Sequence, residues 1–265
     1  MKVYLSVDME GVTGAQHWDE TEIGKPGYER LRDRMAREAA TVAAAALEAG
    51  ACEVWVQDAH DTGRNLAPED LPPGCRLIRG WSGDPRLMVQ ELDKSFAALL
   101  VVGWHSGAGS GGSPLCHAMS TGLTGLRLNG EPCSELRLAG LTAAGLGVPL
   151  VFCAGDQALC AEARAWLPGI RTVATQEGRG ESVVCHDAQA VLARMAEAGR
   201  AALANLSAAR LPRLPRRWEL EMDFRSPARA RRASFYPGMR QVTPSTVRLR
   251  GAALDDLLRA LLFAV

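Results

Sequence analysis

The sequence predicts an α/β protein with a mainly parallel sheet, helices on both faces of that sheet and a smaller C-terminal lobe. Two continuous apolar runs, at residues 96–105 and 148–156, are typical of strands buried on both faces. Segments with helical spacing of apolar residues alternate with the strand-like segments, as in a parallel α/β sheet. After about residue 208 the composition changes to a tail rich in proline and arginine, which predicts a separate lobe.

The elements of the core follow one another in this alternation. Apolar side chains alternate at residues 3–7, which predicts the first strand. A long helix is expected at 27–49, because apolar residues recur there at helical spacing and Gly50 follows as a C-terminal cap. The remaining core elements are strands at 53–60, 96–105 and 148–156, and helices at 157–167 and about 186–207.

The chain is expected to divide near residue 208. Residues 1–208 form the α/β core that carries the functional site, and residues 209–265 form a C-terminal lobe for packing or oligomer contacts. The tail ends in leucines at helical spacing, which pack either on this lobe or on a neighbouring subunit. These leucines are Leu254, Leu257, Leu258, Leu261 and Leu262.

Composition limits the partners and the location that the protein can have. The 265 residues include 30 basic and 30 acidic side chains, so no net charge favours nucleic acid or a membrane surface as a partner. The longest apolar run is about half as long as a membrane-spanning helix. The amino-terminal residues lack the apolar stretch of a secretory signal, and seven cysteines without paired short spacings predict reduced thiols. We therefore expect a cytoplasmic protein.

Ionisable residues follow three of the predicted strands. Asp8 and Glu10 follow the first strand, His60 ends the second with Asp58, and His105 follows the third. The carboxyl ends of parallel strands meet at one edge of the sheet, where ligands bind. Alternate residues of a strand share a face, so the two carboxylates after the first strand converge on one point.

Two further segments extend this group of residues. A glycine-rich loop after the third strand returns to His117, and it lacks the Gly-Lys-Ser/Thr sequence of a phosphate-binding loop. Asn129 and Gly130 then predict a tight turn, which Glu131 and Glu135 follow.

Together these residues form a set of oxygen and nitrogen donors suited to zinc. Five donors exceed what one tetrahedral ion uses, and clustered carboxylates repel one another unless cations lie between them. Two ions that share a bridging carboxylate account for all five. The expected ligands are Asp8, Glu10, His60, His105 and Glu135.

Short blocks of sequence carry these residues in a fixed order. They are SVDMEGVTG (6–14), DAH (58–60), GWH (103–105), CHAMS (116–120) and NGEPCSE (129–135). With GVPLVFCAGD (147–156) and YPGMRQVTPSTVRL (236–249), they resemble the zinc-dependent D-aminopeptidase family, the DppA-type or M55 peptidases, over essentially the whole chain.

The resemblance implies a role for each residue. Asp8 is the bridging ligand, Glu10 and His60 complete one zinc site, and two further residues complete the other: His105 and Glu135. The resemblance makes His117 the catalytic residue that faces the substrate. It also implies two zinc ions per chain, a ring of subunits that is decameric in the type member, and removal of amino-terminal D-residues from short peptides.

The expected chemistry is metal-assisted hydrolysis of an amide. Two zinc ions acidify a bound water and polarise the scissile carbonyl. His117 serves as a base, as an acid or as a hydrogen-bond donor to the tetrahedral oxyanion, and the sequence leaves these three roles open.

Other functions stay open at this point. An L-aminopeptidase or another metal-dependent amidohydrolase of the same fold would use the same ligands. A phosphatase of the haloacid-dehalogenase type would use VDMEG and GDQALCAE, although that chemistry requires a second aspartate where Glu10 stands. The third alternative is a metal-binding scaffold without enzymatic activity.

Overall fold

The computed structural model describes residues 1–251 and 253–265, and its main sheet is parallel. The strands of this sheet lie in the order β3-β2-β1-β4-β7-β8. They are β1 (Lys2–Val7), β2 (Glu53–Asp58), β3 (Cys75–Ile78), β4 (Ala98–Trp104), β7 (Leu150–Gly155) and β8 (Arg171–Ala174).

Helices cover both faces of the main sheet, as the sequence predicts. Alternate residues of β1 point to opposite faces: Leu5 packs in one apolar cluster with two helices, and Tyr4 packs in a second cluster with two others. The first pair comprises α1 (Tyr28–Glu48) and α4 (Ala188–Ala204), and the second comprises α2 (Glu135–Gly145) and α3 (Gln157–Trp166).

A second, antiparallel sheet has its own apolar core. Its strands lie in the order β12 (Arg240–Gln241), β13 (Thr246–Gly251), β11 (Trp218–Phe224), β5 (Leu123–Leu128) and β6 (Glu131–Pro132). Two short helices, α5 (Pro227–Ala233) and α6 (Leu254–Ala264), pack on it. The hairpin β5–β6 reaches this sheet from the middle of the chain, so we define the second lobe as residues 123–132 with 218–251 and 253–264. The predicted division of the chain at residue 208 stays a prediction.

Local signals match the structure at several elements. The predicted turn at Asn129 and Gly130 joins β5 to β6, and both residues have positive φ, 52° and 83°. The leucines of the C-terminal stripe pack in or against the core of the second lobe. This packing accounts for their apolar pattern without a neighbouring subunit. A small hairpin of β9 (Gln176–Arg179) and β10 (Ser182–Cys185) follows the last strand of the main sheet.

Within the described residues, no helix combines the length and apolar character needed to cross a bilayer. All seven cysteines are free thiols. The cytoplasmic location stays a prediction.

Candidate metal centre

The predicted ligands meet at the carboxyl edge of the main sheet. Asp8 and Glu10 follow β1, His60 follows β2, His105 follows β4, and Glu135 is the first residue of α2. All five side chains are buried. Loops at the carboxyl ends of adjacent parallel strands therefore bring together residues that are as far apart as 127 positions in the sequence (135 − 8).

Close packing of two loops sets Asp8 beside His105. The Gly11 N–H donates to the Gly103 carbonyl at 2.7 Å, which ties the loop after β1 to the end of β4. Gly103 has a φ of +72°, and a Cβ at this position would lie 2.1 Å from the Asp8 carbonyl oxygen. Only glycine allows the two backbones to approach this closely.

The first group of donors surrounds His60. Its Nδ1 lies 3.2 Å from Asp8 Oδ1 and 3.0 Å from Glu10 Oε2. Its Nε2 lies 2.7 Å from the Thr21 carbonyl oxygen, which can only accept a hydrogen bond. This contact assigns the proton to Nε2 and leaves the Nδ1 lone pair facing two carboxylates. That arrangement fits a cation between them.

The second group of donors surrounds His105. Its Nε2 lies 3.2 Å from Glu135 Oε2 and 3.5 Å from Asp8 Oδ2, and its Nδ1 contacts the Ser106 carbonyl at 3.0 Å. His105 Nε2 and Glu135 Oε2 are buried, and among the described residues neither has a hydrogen-bond partner of suitable geometry despite their short separation. Buried donor atoms that lack partners and lie this close together fit a metal ion.

The carboxylate of Asp8 belongs to both groups. Its Oδ1 faces His60 and its Oδ2 faces His105. The Met9 N–H donates to Asp8 Oδ1 at 2.8 Å and helps to fix the side chain. One carboxylate divided between two histidines has the geometry of a bridging ligand.

His117 lies beside the second group. Its ring stacks on that of His105, with centroids 4.2 Å apart and planes 10° apart, and the Trp18 ring meets it edge-on at 5.3 Å. Donor atoms of His117, His105 and Glu135 also lie within 4.8 Å of one another, so His117 is an alternative ligand. However, the Glu135 oxygen nearer to His117 already accepts the Met119 N–H at 2.5 Å. This contact favours His117 as a neighbour of the metal centre.

The charges of the cluster favour additional positive charge within it. Burial and the charge of Glu10 raise the pKa of Asp8 well above its usual range. Burial also raises the pKa of Glu10 and Glu135, but His60 and His105 respectively outweigh burial and lower both pKa values. Burial lowers the pKa of the two histidines, and the carboxylates outweigh it and raise both values well above the usual range. Positive charge, from protons or from metal ions, therefore stabilises this group of acids.

The pKa of His117 shifts in the direction opposite to that of His60 and His105. Burial, together with the charge of His105, lowers its pKa below the ordinary value for histidine. Its Nδ1 lies 3.0 Å from the Leu115 carbonyl, which accepts the Nδ1 proton. His117 is therefore neutral at neutral pH, and its Nε2 is free to accept a proton.

Two buried aspartates near the site have structural roles. Asp58 accepts hydrogen bonds from the backbone of Asn65 and Leu66 and so holds the loop after His60. Asp156 caps α3 through the Leu159 N–H at 2.8 Å, and its other oxygen accepts the Ser106 N–H at 2.6 Å. The acid of the GDQALCAE block is thus occupied as a cap, which argues against the phosphatase alternative.

A cleft of about 490 Å³ opens above the cluster. Asp8, Glu10, His60, His117 and Glu135 line it together with apolar and polar residues from the surrounding loops. The other lining residues are Trp18, Thr21, Glu22, Ala59, Asp61, Trp81, Met88, Met119 and Thr121. This volume is in the range of pockets for small ligands.

Sequence reasoning missed several residues of this site. Thr21 and Met119 act through backbone atoms, which carry no sequence signal. Trp18 and Trp81 belong to loops whose fold does not follow from local patterns. Asp156 had a usable signal, because an aspartate between a strand and a helix is a common helix cap.

A protein-family model for D-aminopeptidases, the M55 peptidases, matches residues 1–263. The chain belongs to the M55 peptidase family. A D-aminopeptidase from Bacillus subtilis (strain 168) is 34% identical to this M55 chain over 260 residues, which cover 97% of the chain and 93% of the relative. The solved structure of the Zn-dependent D-aminopeptidase DppA from Bacillus subtilis, a self-compartmentalizing protease, is also similar. It has a TM-score of 0.94 and 31% identity, covering 100% of this chain and 96% of that chain.

These similarities confirm the family that the sequence predicts. They also confirm the α/β fold and the class of enzyme, a metallopeptidase of the D-aminopeptidase type. The metal ligands and the role of His117 in this M55 peptidase rest on the geometry described above and stay proposals.

Proposed function

We propose that the protein is a dinuclear zinc aminopeptidase that removes the amino-terminal residue from short D-amino-acid peptides. The observation that carries the proposal is the division of the Asp8 carboxylate between His60 and His105. The Bacillus relatives support zinc and D-peptides, because one is named a D-aminopeptidase and the other a Zn-dependent D-aminopeptidase.

Each proposed ion has three protein ligands. Asp8, Glu10 and His60 would hold one ion, and Asp8, His105 and Glu135 would hold the other. Three protein ligands leave room for water or substrate on a zinc ion, as catalytic sites require. Three carboxylates also balance most of the charge of two divalent ions.

The zinc pair, when bound, supplies Lewis acidity to a peptide carbonyl and acidifies a water molecule. The chain supplies the proton carrier, and His117 fits this role. Its Nδ1 proton is held by Leu115, so Nε2 accepts a proton during attack and returns it to the leaving amine. The lowered pKa of His117 keeps it in the neutral form that this role requires.

The cleft suits the amino-terminal end of a peptide. Glu22 and Asp61 line it in addition to the proposed ligands, so its charge favours the ammonium group. Trp18, Trp81 and Met88 provide apolar surface for a side chain.

We further propose a homo-oligomeric ring, decameric by family resemblance and located in the cytoplasm. The self-compartmentalizing DppA relative supports the ring. Phe235 and Phe263 of the second lobe are 71% and 72% exposed and offer apolar surface for a contact between subunits.

Hydrolysis of matched peptides by zinc-loaded protein tests the function. We expect cleavage of alanyl-alanine with a D-residue first, and at least tenfold slower cleavage of the peptide with an L-residue first. The reverse preference would show an L-aminopeptidase. Cleavage restricted to non-peptide amides would show another amidohydrolase. Zinc binding without any hydrolysis would show a metal-binding scaffold.

A further inference from the structure

The cleft has no positively charged partner for the carboxyl end of a peptide. Among residues 1–251 and 253–265, its lining includes five carboxylates and no lysine or arginine. If the proposed function holds, the ammonium group points towards the metal centre and the substrate carboxylate points towards the rim. A cation that binds this carboxylate must therefore lie outside the lining residues.

An arginine of the second lobe lies against the residue that follows one of the lining residues of the cleft. Thr121 lines the cleft, and the next residue is Gly122. A Cβ on Gly122 would lie 1.8 Å from Nη1 of Arg229 and 2.8 Å from its Cζ, so the guanidinium lies directly against this glycine. Any larger residue at position 122 would displace Arg229.

The backbone holds this arginine in place. Arg229 lies in α5, and the Arg225 N–H just before this helix donates to the Gly122 carbonyl at 2.9 Å. The start of α5 and the rim of the cleft are thus joined directly. Arg229 is therefore held by the fold against Gly122, the residue that follows Thr121 of the acidic cleft.

Arg229 has no ionic partner in the described part of the chain, since no carboxylate lies within 4.0 Å of it there. Other arginines of the same lobe are paired: Arg127 with Asp223 at 2.6 Å and Arg248 with Glu221 at 2.9 Å. A guanidinium matches a carboxylate with two parallel hydrogen bonds. The side chain is available for a carboxylate that arrives with the substrate.

We infer that Arg229 binds the carboxyl terminus of the substrate and makes the enzyme selective for short peptides with a free carboxylate. The second lobe thus contributes a specificity residue to a site whose proposed metal ligands all belong to loops of the main sheet and to α2. This role deepens the proposed function and rests on it.

The test compares one D-dipeptide as the free acid and as the carboxamide. We expect wild-type kcat/KM to be about tenfold higher for the free acid, mainly through KM, as for one charge-assisted hydrogen-bonded contact at a partly exposed site. Arg229→Gln should abolish this preference by raising KM for the free acid to about that for the carboxamide. Arg232→Gln is the matched control, because Arg232 is exposed on the same helix, and it should retain the preference.

A binding measurement separates this inference from the proposed function. An uncleavable analogue, with a reduced bond in place of the scissile amide, is titrated as acid and as carboxamide against wild type and Arg229→Gln. Quenching of Trp18 and Trp81, which line the cleft, reports binding. Tighter binding of the acid that depends on Arg229 supports the inference even if no peptide is cleaved, a result that would contradict only the proposed function. Equal affinity in wild type, or an unchanged preference in Arg229→Gln, would overturn the inference.

Discussion

His117 is the residue whose role depends most on detail that only the structure provides. It stacks on His105, and its Nε2 lies 3.9 Å from a Glu135 oxygen that already accepts a backbone N–H. Substitution distinguishes the two roles, because a ligand holds metal and a proton carrier does not.

We expect His117→Ala to keep both metal ions and the fold while kcat falls by roughly 10²–10⁴-fold, because proton transfer is lost. Metal content, circular dichroism and peptide hydrolysis are measured on the same preparation. His17→Ala is the control, since this histidine is exposed on a nearby loop and should leave kcat unchanged. Loss of one ion from His117→Ala would make it a ligand.

At the level of elements, α1 supports the loop that carries Glu10. Glu38 of this helix is fully buried, and one of its oxygens accepts the Thr13 N–H at 3.0 Å while the other has no partner. Burial raises the pKa of Glu38 to about 7, from 4.5. On the other side of the same loop, Gln176 accepts the Gly14 N–H at 2.8 Å and donates to the Ala15 carbonyl at 2.7 Å.

The raised pKa of Glu38 makes stability depend on pH. The folded protein binds this proton more tightly than the unfolded chain does. The contribution of Glu38 is therefore fully present below about pH 4.5 and is lost as the pH rises to about 7. The loss amounts to about 3 kcal/mol in the free energy of unfolding.

Glu38→Gln should remove this dependence, because glutamine keeps an acceptor for Thr13 and carries no charge. Urea unfolding of metal-free protein at pH 5 and pH 7.5 checks the prediction: the variant should be more stable than wild type at pH 7.5 and similar at pH 5. Glu29→Gln, an exposed position on the same helix, is the control. A variant that is less stable than wild type at both pH values would contradict it.

Local sequence patterns predict individual helices and strands of the main sheet. The helix expected at 27–49 is Tyr28–Glu48, and the run at 96–105 contains β4 (Ala98–Trp104), because burial on one or both faces leaves a periodic pattern. The antiparallel sheet leaves a periodic pattern within its strands, since apolar and acidic residues alternate in WELEMDF of β11, but this pattern does not specify which strands pair. Its central pairing joins β5 to β11, which lie about 95 residues apart, and only the folded chain specifies that partner.

The site likewise contains residues that local patterns predict and residues that only tertiary contacts place. The proposed ligands were predictable because strand ends meet at one edge of a parallel sheet. Trp18 and Met119 were not, because loops bring them to the cleft, and the contact of Arg229 with Gly122 depends on the second lobe. Their positions depend on contacts such as that between Arg225 and Gly122.

For the whole molecule, the prediction concerns assembly. Phe263 is exposed at the end of α6, while the leucines of this helix pack inward on the second lobe. We expect light scattering to show a large homo-oligomer for wild type and smaller particles for Phe263→Glu, because a charge is costly to bury in an apolar contact. Val184→Glu, on the β9–β10 hairpin, is the control for an exposed apolar residue outside the second lobe. A monomeric wild type at micromolar concentration would contradict the ring.

The central claim is that one carboxylate joins two metal ions, and zinc content per chain tests it most directly. Elemental analysis of protein purified without chelator should give about two zinc ions per chain. Asp8→Ala should lose both ions, because the remaining ligands leave two cations to repel each other without a bridge. Asp61→Asn, which alters an exposed acid of the cleft outside the proposed ligands, should retain both. A wild-type ratio of one, or an Asp8→Ala variant that still holds two ions, would contradict the account.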